Sequence, residues 1–273
     1  MSHLLFDDPC ILFALRRESA PFRREFRPHQ AFPASPCWAR FCGPPWLTVL
    51  VVETGVGQAH VARVLDWLLA KPKFDQVTYQ PSMILFAGFA GALTDSLHVG
   101  DIVLADEVLD AHGKRWPTTW PTPFPEGHWT PPLHRGRLLT VDRMIAMPEE
   151  KRRLGEQTAA VAVDMESAHF AARCTQAGIP FGCVRAISDE VTTPLSPNLA
   201  SLLSGGAVSP WRLLTALARR PRMSPELLRL ARDTKRASEQ LGLALGELLT
   251  LTLPWDLSEP PASQPVLHAA WKL

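Results

Sequence analysis

Three carboxylates of this chain stand just beyond apolar runs. Glu18 follows residues 11–15 (ILFAL), Glu166 follows residues 159–163 (AAVAV) within Asp164-Met165-Glu166, and Asp189 follows residues 181–187 (FGCVRAI). In open α/β sheets ligands bind at the carboxyl ends of strands, so acids placed there stand where a substrate arrives. Such side chains can protonate a leaving group, activate a nucleophile or stabilise a developing positive charge. Cleavage of a glycosidic C–N bond needs that set. Its transition state resembles an oxocarbenium ion, with a cationic sugar carbon and a departing base that becomes anionic. Each acid taken singly has a plainer explanation. Glu166 at a helix start suits the helix dipole, Asp189 after a strand caps a turn, and Glu18 pairs with Arg16 or Arg17 in solvent. Composition alone does not show that the three converge.

The elements that would position them alternate along the chain. Residues 47–53 (LTVLVVE) read as a buried strand leading through Thr54-Gly55-Val56-Gly57 into a helix with Val61, Leu65 and Leu68 at helical spacing, closed by Pro72. Residues 83–89 (MILFAGF) form another buried strand. Residues 101–108 alternate after a Val99-Gly100 turn, and residues 137–142 return to the core. Residues 28–45 hold five prolines and read as loop with a short edge strand. Residues 112–132, rich in proline and tryptophan, read as a long excursion, and loops of that length are often binding loops or lids. A helical pattern after Glu166 stops at Gly178. The pattern predicts an α/β fold: a single-domain three-layer sandwich with a mixed central β-sheet flanked by helices. That domain spans residues 1–253, includes an amphipathic C-terminal helix over 225–252 that starts well at Ser224-Pro225-Glu226, and precedes a tail at 254–273.

Composition narrows the function. A formal net charge of +1 supplies no global field for nucleic acid or acidic lipid, so no nucleic-acid partner is expected. The basic residues between Arg219 and Arg236 read as a solvated helix face, which makes membrane association a minor hypothesis. The histidines and the five cysteines lack metal-ligand spacing, so no metal is expected. No GxSxG supports a serine hydrolase, and Gly55-Val56-Gly57 lacks the third glycine of a dinucleotide site, so no redox cofactor is expected either. An odd cysteine count without a secretory leader points to a reducing, cytoplasmic setting. Trp116, Trp120 and Trp129 are the tryptophans to test as ligand contacts.

Five stretches occur in a telling order: Ala14-Leu15-Arg16-Arg17-Glu18, Thr54-Gly55-Val56-Gly57, residues 87–108 (AGFAGALTDSLHVGDIVLADEV), residues 163–167 (VDMES) and residues 184–189 (VRAISD). In these the chain resembles the purine nucleoside phosphorylase and nucleosidase superfamily, in particular its 5′-methylthioadenosine/S-adenosylhomocysteine nucleosidase branch. The resemblance covers residues 10–190 and implies a nucleoside phosphorylase-like fold. It implies hydrolytic release of adenine from a 5′-modified adenosine, with no cofactor, by a homodimer or trimer. Asp189 would then protonate the purine N7 with Ser188 beside it, and Glu18 would activate the water. Glu166 would accept hydrogen bonds from the ribose and Met165 would pack against the sugar. Gly88 and Gly91 would let the backbone approach the ligand. Phe89 stands where the nucleosidases usually carry a serine, and Met144 and Ile145 occupy the place of an aromatic that stacks on the base. The 112–132 loop is unlike its counterpart. Two alternatives stay open. One is a phosphorolytic enzyme of the hopanoid-associated type, which residues 140–154 and 218–233 resemble, acting on an adenosyl-lipid. The other is a non-catalytic nucleoside-binding module.

Overall fold

The computed structural model describes residues 5–6, 8–33, 35–45, 47–74, 77–120, 129–194 and 224–252. The middle of the long excursion (121–128), residues 195–223 and the tail at 254–273 lie outside the described residues. In chain order the strands begin with β1 (Leu5–Phe6), β2 (Cys10–Phe13), β3 (Pro28–Ala31), β4 (Trp38–Cys42), β5 (Val49–Glu53), β6 (Lys73–Phe74) and β7 (Val77–Tyr79). They continue with β8 (Ile84–Ala92), β9 (Ile102–Asp110), β10 (Arg115–Pro117), β11 (Leu133–Thr140), β12 (Ala160–Asp164) and β13 (Phe181–Asp189). The helices are α1 (Arg16–Glu25), α2 (Gln58–Leu69), α3 (Pro148–Thr158), α4 (Ser167–Ala177) and α5 (Ser224–Thr252).

The main sheet is mixed, as the alternation of strands and helices predicts. Its order is β10-β9-β11-β12-β8-β2-β5-β4-β3, and β13 pairs with both β8 and β9. Strands β8, β12, β11, β9 and β13 thereby pair in a closed ring, which curls one end of the sheet. The parallel pairs β2–β5, β2–β8 and β8–β13 join the most apolar runs of the chain. Parallel strands covered on both faces read this way because both sets of side chains are buried. One face carries α2 and α4, through Val61, Leu65 and Leu68 and through Phe170, Ala171 and Cys174. The other carries α1 and α5, through Phe22 and through Ala237, Leu241 and Leu245. Sheet and two helical faces make the three layers.

Two regions differ from expectation. Residues 28–45 form two strands, β3 and β4, with Pro28 opening the first, a position where no ladder N–H is lost inside the strand. The described part of the 112–132 excursion is packed onto the sheet. Strand β10 pairs with β9, Trp116 is buried, and Trp120 lies against Gly182 with its indole N–H donating to the carbonyl of Ala105 at 2.7 Å. Trp129 packs against the α1–α5 core. Helix α5 buries Thr234, Ala237, Leu241, Ala244, Leu245 and Leu248, while Leu227 and Leu230 are half-buried and Ala231 is exposed. A Cβ on Gly242 would come within 2.9 Å of the Phe22 backbone nitrogen, so only glycine permits this approach of α5 to α1. Among the described residues no helix is long and apolar enough to cross a membrane.

Candidate active site

Glu18 is set by the start of its own helix. Leu15 has extended backbone, and its N–H donates to Glu18 Oε2 at 2.7 Å. A glutamate three residues into a helix reaches back in this way to an otherwise unpaired N-terminal donor. The side chain is 4% exposed. A Cβ on Gly88 would lie 3.2 Å from Glu18 Oε1 and 3.0 Å from Arg185 Nη1, so the glycine lets carboxylate and guanidinium both come up to β8. Burial pushes the Glu18 carboxyl from its ordinary 4.5 up to about 7 and the negative charge of Glu166 adds to the rise, against the opposing Leu15 N–H, Arg185 and Arg17.

Glu166 stands at the N-cap position of α4, just past β12, and its side chain makes no capping hydrogen bond. Burial raises its pKa, and the neighbouring Asp164 charge adds to the rise. Arg185 and the backbone N–H groups of Gly57 and Met165 work the other way. Gly57, at φ 98°, brings the turn after β5 to this acid. Behind both glutamates lies a buried polar knot. Arg185 donates from Nε to Asp164 Oδ2 at 3.0 Å, from Nη2 to Ser167 Oγ at 2.6 Å and from Nη1 to the Phe86 carbonyl at 3.1 Å. Its guanidinium lies 4.3 Å from the centroid of the Phe86 ring. Asp164 also accepts from Thr140 Oγ1 at 2.8 Å and from Ser167 Oγ at 2.5 Å. A buried ion pair survives only when its remaining donors and acceptors are satisfied, and here they are.

Asp189 ends β13. A register shift between Ile187 and Asp189 sets it opposite Gly91, and a Cβ there would lie 2.9 Å from Asp189 Oδ2. Ser188 Oγ donates to Asp189 Oδ1 at 2.9 Å, and Lys151 Nζ donates to Asp189 Oδ2 at 2.5 Å. On a regular strand residues 88 and 91 would face opposite ways. Between them β8 exchanges its pairing with β2, which runs to Ala87, for pairing with β12 from Gly91 onward. Glu18, at Gly88, feels the charges of Arg185 and Glu166, while Asp189, on β13, lies opposite Gly91, three residues further along β8. Three strand residues span about 10 Å, the reach of a purine with its ribose.

Of the other expected contacts, Phe89 is half-buried and packs against the α1–α5 core. Ile145 is buried with Leu93, Leu109 and Leu139, while Met144 and Met165 are half-buried. Three further residues shape this region, none of them given a role from the sequence. Arg185 carried a signal, since a charge inside an apolar strand must find a partner, and Asp164 is the acid beside Glu166. Lys151 carried none, because it sits in a charged run that reads as a solvated helix face.

The phosphorylase superfamily model matches residues 45–201. A Staphylococcus aureus protein (strain MRSA252) named 5′-methylthioadenosine/S-adenosylhomocysteine nucleosidase is 26% identical over 190 residues, 62% of this chain and 80% of its own length. Among solved structures, a Helicobacter pylori nucleosidase of the same name, in complex with a pyrrolopyrimidine-containing ligand, superposes with a TM-score of 0.63 at 16% identity. The match covers 89% of this chain and 98% of that one. Futalosine hydrolase of Helicobacter pylori superposes with a TM-score of 0.59 at 18% identity, again over 89% and 98% of the two chains. At such identities these two establish the shared fold. Because the family model takes in more than half of its 273 residues, this chain belongs to the phosphorylase superfamily.

Proposed function

We propose that the chain is an enzyme that cleaves the N-glycosidic bond of a purine nucleoside by hydrolysis, releasing adenine from a 5′-modified adenosine such as methylthioadenosine or S-adenosylhomocysteine. The observation that carries this reading is the buried Glu18. Its pKa stands near 7, raised in part by the Glu166 charge, it lies with Arg185 against Gly88, and Asp189 stands at the Gly91 end of the same strand. A group of that pKa works as a general base at neutral pH. In this reading Glu18 takes a proton from water as its oxygen attacks C1′, and Glu166 holds the ribose hydroxyls. Asp189 gives a proton to the purine as the C1′–N9 electron pair passes into its ring. The nucleosidase relatives support the same bond and substrate class.

Hydrolysis is favoured over phosphorolysis by the state of the cations. The guanidinium nearest Glu18 is occupied by Asp164, Ser167 and the Phe86 carbonyl, while Arg16 and Arg17 are exposed. Among the described residues, no arginine of this arrangement is left free inside the site to hold a phosphate dianion. The apolar face of α5 is occupied by α1 and the sheet, which withdraws support from a lipid-bearing substrate.

The test is incubation of the protein with methylthioadenosine, adenosine and inosine, with and without phosphate, followed by quantification of free base. Adenine release that phosphate does not accelerate is expected, with free methylthioribose as the second product. Absence of base from every nucleoside under both conditions overturns the reading.

A further inference from the structure

Lys151 is fully buried, unlike the next two residues of α3. Arg152 and Arg153 stay at the surface, near Asp95 and Glu150. The Lys151 ammonium donates to Asp189 Oδ2 at 2.5 Å and to the main-chain carbonyl of Glu190 at 2.8 Å. The Glu190 carboxylate is turned elsewhere, 3.4 Å from His98 Nδ1 and 3.3 Å from the Val99 N–H that it accepts. The carboxyl that faces the Lys151 ammonium is therefore that of Asp189. With Ser188 Oγ on the other oxygen, both oxygens of the Asp189 carboxyl are anchored above Gly91. Packing does not call for this lysine, since replacing a buried ion pair by apolar residues of similar volume is often neutral or stabilising. A buried cation on the acid of a site has a chemical use instead.

We propose that Lys151 is the positioning residue for the acid: it fixes the Asp189 carboxyl at the Gly91 end of β8 and stabilises the carboxylate left there once the proton has gone to the departing base. The inference rests on the glycosidase reading above. In the step concerned the O–H bond of Asp189 breaks and an N–H bond forms on the base. The C1′–N9 electron pair enters the base, and water bonds to C1′ after giving a proton to Glu18. Asp189 thus becomes anionic in a half-buried place, where a fixed cation in contact acts more strongly than it would in water. Asp189 regains its proton, and Glu18 loses its own, by exchange with solvent before the next turnover.

The experiment compares adenine release from methylthioadenosine by the wild type, Lys151→Met, Lys151→Arg, Asp189→Asn and the Lys151→Met/Asp189→Asn double variant, with thermal melts for all. Lys151→Met should lower kcat by about 100-fold, the scale of a general acid's contribution, with KM changed less than about threefold. Lys151→Arg, which keeps the charge, should stay within about tenfold of the wild type. The double variant should be no slower than Asp189→Asn, because both changes act through one carboxyl. If Lys151→Met does not fold, Lys151→Gln supplies the uncharged comparison. The inference is overturned by wild-type kcat in the uncharged variant, by equal loss in Lys151→Arg, or by a double variant slower than Asp189→Asn by the full Lys151→Met factor. A wild type that releases no base from any nucleoside overturns the glycosidase reading and this inference together. An active wild type with insensitive Lys151 variants overturns this inference alone.

Discussion

The hydroxyl of Ser238 donates to the main-chain carbonyl of Arg17 at 2.5 Å, joining residues 221 apart in the sequence. That carbonyl is the one an ordinary helix would pair with the N–H of residue 21, and residue 21 is Pro21, which has none. Helix α5 thus supplies the hydrogen bond that α1 lacks, one residue before Glu18. Ser238→Ala should leave the carbonyl buried without a partner and destabilise the protein by about 1 kcal/mol, or about 2–4 °C in Tm. Thermal and urea denaturation measure this, and an unchanged midpoint contradicts the role given to Ser238.

Glu18 makes a pH-dependent prediction with a definite sign. Its folded pKa of about 7 lies above the ordinary 4.5, so the folded state holds this proton more tightly than the unfolded state does. Its contribution to stability is therefore present below the ordinary value and is lost as pH rises through about 7. The full difference corresponds to about 3 kcal/mol. Glu18→Gln keeps an acceptor for the Leu15 N–H and removes the ionisation, so it should flatten this fall and be the more stable protein at pH 8. Stability of the two proteins followed from pH 5 to 8 checks it; parallel curves refute it.

Arg185 and Asp164 are each almost fully buried, and each is the other's charge partner. Arg185→Met should strand Asp164 and cost about 3–5 kcal/mol, whereas Arg185→Met with Asp164→Asn should cost less than Arg185→Met alone. Urea denaturation of the two variants separates the outcomes. A double variant less stable than the single one would show that the pair is not what holds this region.

Asp189→Asn keeps the shape of the side chain and an oxygen for Lys151 but cannot give up a proton to the base. Turnover should fall by about 10²–10⁴ while nucleoside still raises the melting temperature. Undiminished turnover shows that the acid lies elsewhere.

What the sequence discloses about this protein follows from range. The strand ends that carry Glu166 and Asp189 are legible because each closes a local apolar run, and α5 is legible from its start signal and its apolar face. Helix α1 is not, because its residues are mostly charged and interrupted by Pro21. Its order comes from Phe22 and from a helix more than 200 residues further on. The strands within 28–45 and at 115–117 are hidden by prolines that tolerate edge positions. Arg185 was readable as a charge in need of a partner, though its partners were not, and Lys151 was masked by the charges beside it.

The central claim is that Glu18 activates water against the C1′ of a purine nucleoside. Its most direct measurement is the time course of adenine and methylthioribose formation from methylthioadenosine in phosphate-free buffer, for the wild type and Glu18→Gln, between pH 5 and 8. The account predicts equal amounts of the two products from the wild type, a rate that climbs with pH through about 7 as Glu18 ionises, and near-total loss in Glu18→Gln. Adenine release by Glu18→Gln at the wild-type rate, or a wild-type rate indifferent to pH across that range, would contradict it.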